Sequence, residues 1–390
     1  MEIDENELRP FRVSSFVKRI LHVMAWMGRG GAETWLMNVL RHIDRKKFQM
    51  DFIVQTMEPG HYDSEIRSLG SRLIYLPVNK YRPWTIVKDF KQILKKYGPY
   101  DVIHSHVHHF SGFILRLAHH NGIKTRIAHC HNDNSTLRDG AGLSRRFYLA
   151  LTEHWVKKYA TIGLAASRPA ASDLFGQAWE TDPRWKIHHC GIDFVPFKAA
   201  IDREKVRSEL DLPKDCFVVG HVGRFVVQKN HTFLVKIFHE IVKYEPEARL
   251  LLVSAGPLQQ IIKRQIDEAG LSDRVIFAGL RSDVPRLMLG AMDVFLFPSL
   301  YEGLGLVLIE AQASGLPCVI SDVIPEEADV VKPLVSRLSL SESPSVWAKE
   351  VLKMRDRMGF VAQPEALARI EKSSFNISQS VKELESIYSL

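Results

Sequence analysis

The chain has 390 residues, 46% hydrophobic and 25% charged, with Gly 23 and Pro 18, ordinary globular proportions that exclude disordered, collagen-like and coiled-coil chains. Its formal charge of +7 is uneven: residues 1–190 carry 28 basic and 18 acidic side chains (net +10), residues 191–390 carry 24 and 27 (net −3), and 14 of the 17 histidines lie in the first half. The two halves are therefore expected to meet different partners.

Residues 1–18 read as an acidic extension with no signal-type apolar stretch, so secretion by that route is not expected. Short β-branched runs then predict strands at Arg19–Ala25, Met50–Gln55, Arg72–Pro77, Asp101–Ser105, Arg126–His131, Ile162–Ser167 and Lys186–His189. Helical patterns between them include Glu33–Ile43, Trp84–Tyr97, Gly112–His120 and Leu143–Tyr159. Gly191–Ala200 breaks the pattern with Gly191 and Pro196. Further strands follow at Val218–Val222, Arg249–Val253, Val275–Ala278, Val294–Phe297 and Cys318–Ser321. The helices among them are His231–Tyr244, Leu258–Ala269, Val284–Leu289 and Leu306–Ala313.

Strands alternating with helices predict parallel sheets covered on both faces, here as two Rossmann-like α/β domains, 19–195 and 196–373. A closing helix within 374–390, with Val381, Leu384 and Ile387 at helical spacing, is expected to pack back near the hinge or on the first domain. No window reaches the roughly 18 apolar residues of a membrane-spanning helix. Cys130, Cys190, Cys216 and Cys318 form no C-x-x-C pair and read as buried small hydrophobes in a reducing compartment, so a cytoplasmic location fits.

Three loops stand out. Gly28-Arg29-Gly30-Gly31-Ala32-Glu33 opens a helix after a strand, where glycines let backbone amides approach an anion. Its spacing is wrong for a dinucleotide fingerprint, and a bare tight turn is the plain alternative. Gly223-Arg224-Phe225-Val226-Val227-Gln228-Lys229-Asn230-His231 places a guanidinium and an ammonium on one loop, a pairing that suits a diphosphate, although two loop cations are often only solvated surface. Most specific is Glu302-Gly303-Leu304-Gly305-Leu306-Val307-Leu308-Ile309-Glu310, with two carboxylates bracketing a glycine turn and a mostly apolar helix. A carboxylate at 310 is costly unless it meets hydroxyl donors, and two capping acids are the plain alternative. His104, His106, His108, His109, His129 and His131 have a metal-like spacing, but no carboxylate or cysteine completes a site, so no metal is expected. His131, followed by Asn132, Asp133 and Asn134, ends a strand and is expected to reach a cleft between the domains.

Together these residues resemble the family 4 retaining glycosyltransferases of GT-B fold, with their E-x7-E motif, and within them the enzymes of bacterial capsular and exopolysaccharide synthesis. The Gly-Gly-Ala-Glu turn, Gly-Arg-x4-Lys-Asn, Gly256-Pro257, Val275-x-Phe-x-Gly279 and Glu302-x7-Glu310 occur in the family's order between residues 19 and 330. The resemblance implies transfer of a sugar from a nucleotide sugar, UDP-linked, to a glycan or lipid-linked acceptor, with the nucleotide sugar as co-substrate and no other cofactor. It implies that Arg224 and Lys229 grip the diphosphate and that amides of Gly303, Leu304 and Gly305 add to that grip. Glu302 would meet the donor sugar, and Glu310 the ribose near Gly279 and Arg281. Gly30 and Gly31 would close on the phosphates, and His131 would meet the sugar at the anomeric centre. Two departures are Ser254-Ala255-Gly256-Pro257, where the family often has Gly-x-Gly-Pro, and Pro325–Pro333, which lacks the family's glycines.

The basic pairs Arg45-Lys46-Lys47, Lys95-Lys96, Arg145-Arg146 and Lys157-Lys158 suit an anionic membrane surface at the inner face or a lipid-diphosphate acceptor, with solvated helix faces as the plain reading. No aromatics interleave with them, so nucleic acid is not an expected partner. A nucleotide-sugar epimerase or phosphorylase on this scaffold, and a non-catalytic nucleotide-sugar-binding module, are the competing readings.

Overall fold

The computed structural model describes residues 17–78, 83–133, 142–357 and 359–390. Nearly all of the expected acidic extension, and Asn134, lie outside the described residues. In the first half β1 (Lys18–Met24), β2 (Phe48–Val54), β3 (Leu73–Tyr75), β4 (Val102–Ser105), β5 (Thr125–Cys130), β6 (Ile162–Ala165) and β7 (Trp185–Ile187) pair in parallel, in the order β3-β2-β1-β4-β5-β6-β7. In the second half β8 (Val218–Val222), β9 (Arg249–Val253), β10 (Val275–Gly279), β11 (Val294–Phe297), β12 (Cys318–Ser321) and β13 (Val335–Leu338) pair in parallel as β10-β9-β8-β11-β12-β13. The first series carries helices α1 (Gly31–His42), α2 (Asp63–Ser68), α3 (Pro83–Tyr97), α4 (Ser111–His120), α5 (Leu143–Tyr159) and α6 (Arg168–Phe175). The second carries α7 (Arg203–Ser208), α8 (His231–Val242), α9 (Gln259–Glu268), α10 (Val284–Gly290), α11 (Leu306–Ala313), α12 (Pro344–Arg355) and α13 (Gln363–Glu371), and α14 (Ile377–Tyr388) closes the chain.

Both strand orders reverse direction at their first strand, as in doubly wound sheets. Each sheet is buried on both faces, so its strands read as apolar runs. One face of the first sheet packs Leu21, Ile103 and Phe90; the other packs Phe52, Leu40 and Trp35. That second face is completed by α14, where Trp35 Nε1 donates to Ser380 Oγ at 3.2 Å and the Tyr388 hydroxyl lies 2.8 Å from His104 Nδ1. The chain passes between the sheets at two adjacent places, joined where Ile192 N donates to Phe375 O (2.7 Å) and Ile377 N to Ile192 O (3.1 Å). Gly191 is required there, because a Cβ would stand 2.6 Å from Ile377 Cα. All four cysteines are free and buried, and among the described residues no helix is long and apolar enough to cross a membrane.

Hydrophobic pattern alone does not reveal β13. Its Val-Ser-Arg-Leu run is an edge strand, half-buried throughout, and Arg337 clamps Asp329 with two bonds of 2.7 and 2.8 Å. The helices α6 and α12 also lie outside the pattern reading, yet each carries a start signal: Ser167 and Ser343 cap them, and a proline occupies the first turn.

Candidate active site

In doubly wound sheets ligands bind beyond the carboxyl ends of the strands at the point where strand order reverses. Here that point falls between β1 and β4 in one sheet and between β8 and β11 in the other. The loops leaving those strands carry the Gly28–Gly31 turn, the Arg224–Lys229 segment and the Glu302–Gly305 turn.

Lys229 and Glu302 are locked together, with Nζ 2.5 Å from Oε1 and side chains only 15% and 6% exposed. Gln228 Nε2 donates to Tyr301 O at 2.9 Å and to Glu302 Oε2 at 3.3 Å, and Leu300 N donates to Gln228 O at 2.8 Å. The two loops thus form one rigid unit, turned at Asn230 by a left-handed φ of +52° and tied by Asn230 Nδ2 to Pro298 O at 3.1 Å. Gly256 packs so tightly on this loop that a Cβ would lie 2.6 Å from Phe225 N. Two residues earlier Ser254 sits at φ +144°, a conformation that costs a non-glycine residue about 1–3 kcal/mol. Ser254→Gly is therefore expected to stabilise the fold by about 1 kcal/mol after the glycine's extra unfolded-state entropy, read as a higher midpoint in urea with unchanged slope.

The first domain meets this unit directly. A Cβ on Gly303 would lie 1.9 Å from His131 O, so only glycine lets the end of β5 approach the turn. Ser167 Oγ donates to Gly303 O, Arg168 N donates to Glu327 Oε1 at 3.0 Å, and a Cβ on Gly31 would lie 3.6 Å from Leu306 Cδ1. Gly30–Gly31 therefore face the start of α11, where Leu308 N is bonded to Gly305 O at 2.8 Å and the helix dipole favours an anion. The imidazole of His131 is turned inward: Nε2 lies 2.9 Å from His106 Nδ1 and Nδ1 lies 3.6 Å from Cys190 Sγ. Its backbone carbonyl, not its ring, faces the turn.

Glu310 is half-buried on α11, with no hydrogen bond or ion pair to its carboxylate among the described residues, and burial pushes its carboxyl up to about 7. Gly279 ends β10 in a bulge at φ +69°. Arg281 beyond it is bound to Asp283 by two bonds of 2.7 Å, so its guanidinium is already engaged, and no contact among the described residues joins it to Glu310.

The structure adds residues to which sequence reasoning assigned no role. Glu33 is held above the usual carboxylate range by burial, partly offset by a hydrogen bond to its own backbone amide and by the charge of Arg224. Arg29 has its Nε buried without a partner among the described residues. Ser167 had a legible signal, the Ser-x-Pro helix start; Glu33 and Arg29 had only their place beside the glycines. The glycine-poor departure at Pro325–Pro333 supplies the contact from Glu327 and is braced by Gln312, which bonds Ala328 O and Val331 N at 2.8 Å each.

Residues 202–357 match the family described as glycosyl transferases group 1, and residues 30–187 match the glycosyl transferase 4-like domain. The chain is 37% identical over 386 residues to the glycosyltransferase named EpsF of Bacillus subtilis (strain 168), covering 97% of this chain and 98% of that one. It is 25% identical to the capsular polysaccharide biosynthesis glycosyltransferase CapH of Staphylococcus aureus, over 95% and 98% of the two chains. A UDP-Gal:alpha-D-GlcNAc-diphosphoundecaprenol alpha-1,3-galactosyltransferase of Escherichia coli is also 25% identical, over 78% and 79%. Among solved structures, Anabaena Alr3699/HepE in complex with UDP and glucose superposes with a TM-score of 0.79 at 20% identity, covering 95% of this chain and 99% of that one.

Two facing α/β domains with a charged, glycine-lined cleft define a sugar-transferring enzyme of GT-B fold. The chain belongs to the group 1, family 4-like glycosyltransferases.

Proposed function

We propose that the enzyme moves a sugar, with retention of anomeric configuration, from a UDP-sugar to a lipid-linked saccharide in cell-surface polysaccharide synthesis. The observation that carries this reading is the rigid unit of Lys229, Glu302 and the Gly303–Gly305 turn at the switch point, closed from the other domain by Gly31 and His131. The UDP and lipid-diphosphate assignments draw support from the cyanobacterial structure holding UDP and from the named substrate of the E. coli relative.

Breaking a glycosyl–phosphate bond builds negative charge on the diphosphate and positive charge on the sugar ring. In this reading Arg224, Lys229 and the amides of Gly303, Leu304 and Gly305 are preorganised at the growing negative charge. Glu302 accepts from donor-sugar hydroxyls while holding Lys229 in place. Glu310 accepts from ribose hydroxyls, and Gly279 and Arg281 line the base side, with Asp283 fixing Arg281. Gly30 and Gly31 close over the phosphates, and residue 131 stands near the anomeric centre through its backbone carbonyl, its ring being turned inward onto His106 and Cys190. The C1–O bond to phosphate breaks as the acceptor oxygen forms its bond on the same face, and the departing phosphate takes the acceptor's proton. Lys229, held by Glu302, and the exposed Arg224 supply the charge neutralisation that a divalent ion would otherwise give, so the reading needs no metal and no separate acid–base pair.

A thermal-shift screen tests the donor: a UDP-sugar should raise Tm at concentrations where GDP- and ADP-sugars do not. Nucleoside diphosphate released only when acceptor is present separates transfer from epimerisation.

The membrane surface completes the reading. The start of α5 exposes Leu143 (86%) and Phe147 (71%) beside exposed Arg145 and Arg146, an apolar-and-basic combination suited to anionic lipid. Co-sedimentation with phosphatidylglycerol vesicles should be salt-sensitive and lost in Arg146→Glu/Phe147→Ser; salt-independent or absent binding refutes the surface.

A further inference from the structure

Beneath the site lies a dense group of buried and half-buried imidazoles, of which the reaction above uses only residue 131. His104 and His106 are two residues apart, as are His129 and His131, so each pair lies on one face of the first sheet, and His22 is in register with His104. α1 and α14 cover that face. The rings pack at short range: His129 and His131 centroids are 4.1 Å apart, His104 and His106 4.2 Å, and Trp35 stands edge-on to His129 at 5.0 Å.

In two groups, His22 with His104 and His106, and His106 with His129 and His131, the ring nitrogens gather within 4.8 Å, close enough to hold an ion. Charge argues against one. Among the described residues no carboxylate bonds any of these five rings, and the thiol of Cys190 is held protonated by burial, so a divalent ion would be buried with its charge uncompensated.

Hydrogen bonding accounts for the arrangement instead. His22 Nδ1 lies 3.1 Å from His106 Nε2, His106 Nδ1 lies 2.9 Å from His131 Nε2, and His131 Nδ1 lies 3.6 Å from Cys190 Sγ. Burial pushes His22 and His131 down to about 3 and His106 well below the ordinary imidazole range. Each ring is thus neutral, with one donor and one acceptor nitrogen. In such a column the protons must all point the same way, because reversing one ring sets donor against donor or acceptor against acceptor. The direction follows from the far end, where His22 Nε2 is buried without a partner. An orphaned acceptor costs less than an orphaned N–H, so Nε2 of His22 is the bare nitrogen and each Nδ1–H donates toward Cys190.

We propose that His22 and His106 are positioning residues for His131, locking its ring as the neutral Nδ1–H tautomer against Cys190 and so pinning the end of β5 with its carbonyl against Gly303. The role in transfer rests on the reading that residue 131 stands at the donor sugar; the tautomer lock does not. His106, His129, Cys190 and Trp35 face His131 directly. Two further groups bear on its charge without bonding it: His108, whose Nε2 is 3.0 Å from Asp173, and His188, 3.1 Å from Glu383.

The test is a long-range 1H–15N spectrum of histidine-labelled protein between pH 5 and 8, run beside kcat and KM. In the wild type the His131 signals should show the Nδ1–H pattern without titrating. In His106→Phe, which keeps a ring but no nitrogens, they should show mixed tautomers and titrate in that window, with kcat falling about tenfold from pH 8 to 5.5 and KM little changed. His22→Asn keeps a polar atom near Nδ1 and should retain the lock; His22→Phe should loosen it, and carries the test if His106→Phe does not fold. An unchanged His131 pattern in both phenylalanine variants overturns the proposal, as does stoichiometric metal in the purified enzyme that is lost with His106. If His131→Ala leaves transfer intact, the donor-site reading of residue 131 falls while the spectra still decide the lock.

Discussion

Lys229→Ala is expected to slow transfer at least about 100-fold, the usual effect of removing one preorganised donor from a developing anion. It should also destabilise the apo enzyme, because Glu302 is left at 6% exposure without its cation; breaking a buried pair costs about 3–5 kcal/mol. The two effects separate in a double variant. Lys229→Met/Glu302→Gln removes both charges and keeps the volume, so its midpoint in urea should return toward wild type while the transfer rate stays low. Full recovery of the rate in the double variant would make the pair structural only and sink its assignment to the leaving group. Lys229→Arg is expected to be intermediate, since the larger planar head must fit 2.5 Å from a carboxylate and over the Phe297 ring, where Nζ now sits 4.7 Å from the centroid.

Glu310→Gln should reverse sign between the free and the liganded enzyme. In the free enzyme burial raises the carboxyl from 4.5 to about 7. The folded state therefore keeps a proton that the unfolded chain releases, and this residue's contribution to stability falls as pH rises through that window and is flat above it. Glutamine carries no charge to bury, so apo Glu310→Gln should be more stable than wild type at pH 8, by up to about 3 kcal/mol, with the advantage nearly gone at pH 4.5. Donor binding should show the opposite. Ribose hydroxyls donate to the ionised carboxylate, so wild-type affinity for a UDP-sugar, whose diphosphate diester does not titrate here, should fall about tenfold per pH unit below 7. The glutamine variant should bind about 10–100-fold more weakly at pH 8, with no slope. Calorimetric titration between pH 5.5 and 8 reads both quantities, and an equal slope in the variant removes Glu310 from the ribose site.

Much of the candidate site is legible in the chain because parallel α/β sheets place ligand loops where strands end. Gly30, Arg224, Lys229 and Glu302–Gly305 lie between a strand and a helix and Gly31 opens α1, and the structure gathers them at the two switch points. Arg281 shows the limit: its position after a strand is readable, but its commitment to Asp283 at 2.7 Å depends on local rotamers. His131 shows another. Alternation puts His129 and His131 on one face, yet which face, and what covers it, depends on α1 and on α14, more than two hundred residues away.

The amino-acid sequence by itself determined the two-sheet α/β class, the order of the elements that carry apolar periodicity, and the loops that bear glycine, cation and carboxylate, because each is set by local spacing and residue chemistry. Tertiary structure alone decided which loops touch. It brought Gly303 under the His131 carbonyl, Ser167 onto Gly303 and Glu33 within the field of Arg224. It also turned part of a run of histidines that looks like a metal motif, His106 and His131 with His22, into a hydrogen-bonded column without a carboxylate partner, and, against the expectation from spacing, brought the carboxylate of Asp173 to His108. The physical reason is register and packing: strand neighbours and covering helices are chosen by burial over the whole domain, and no local window contains them.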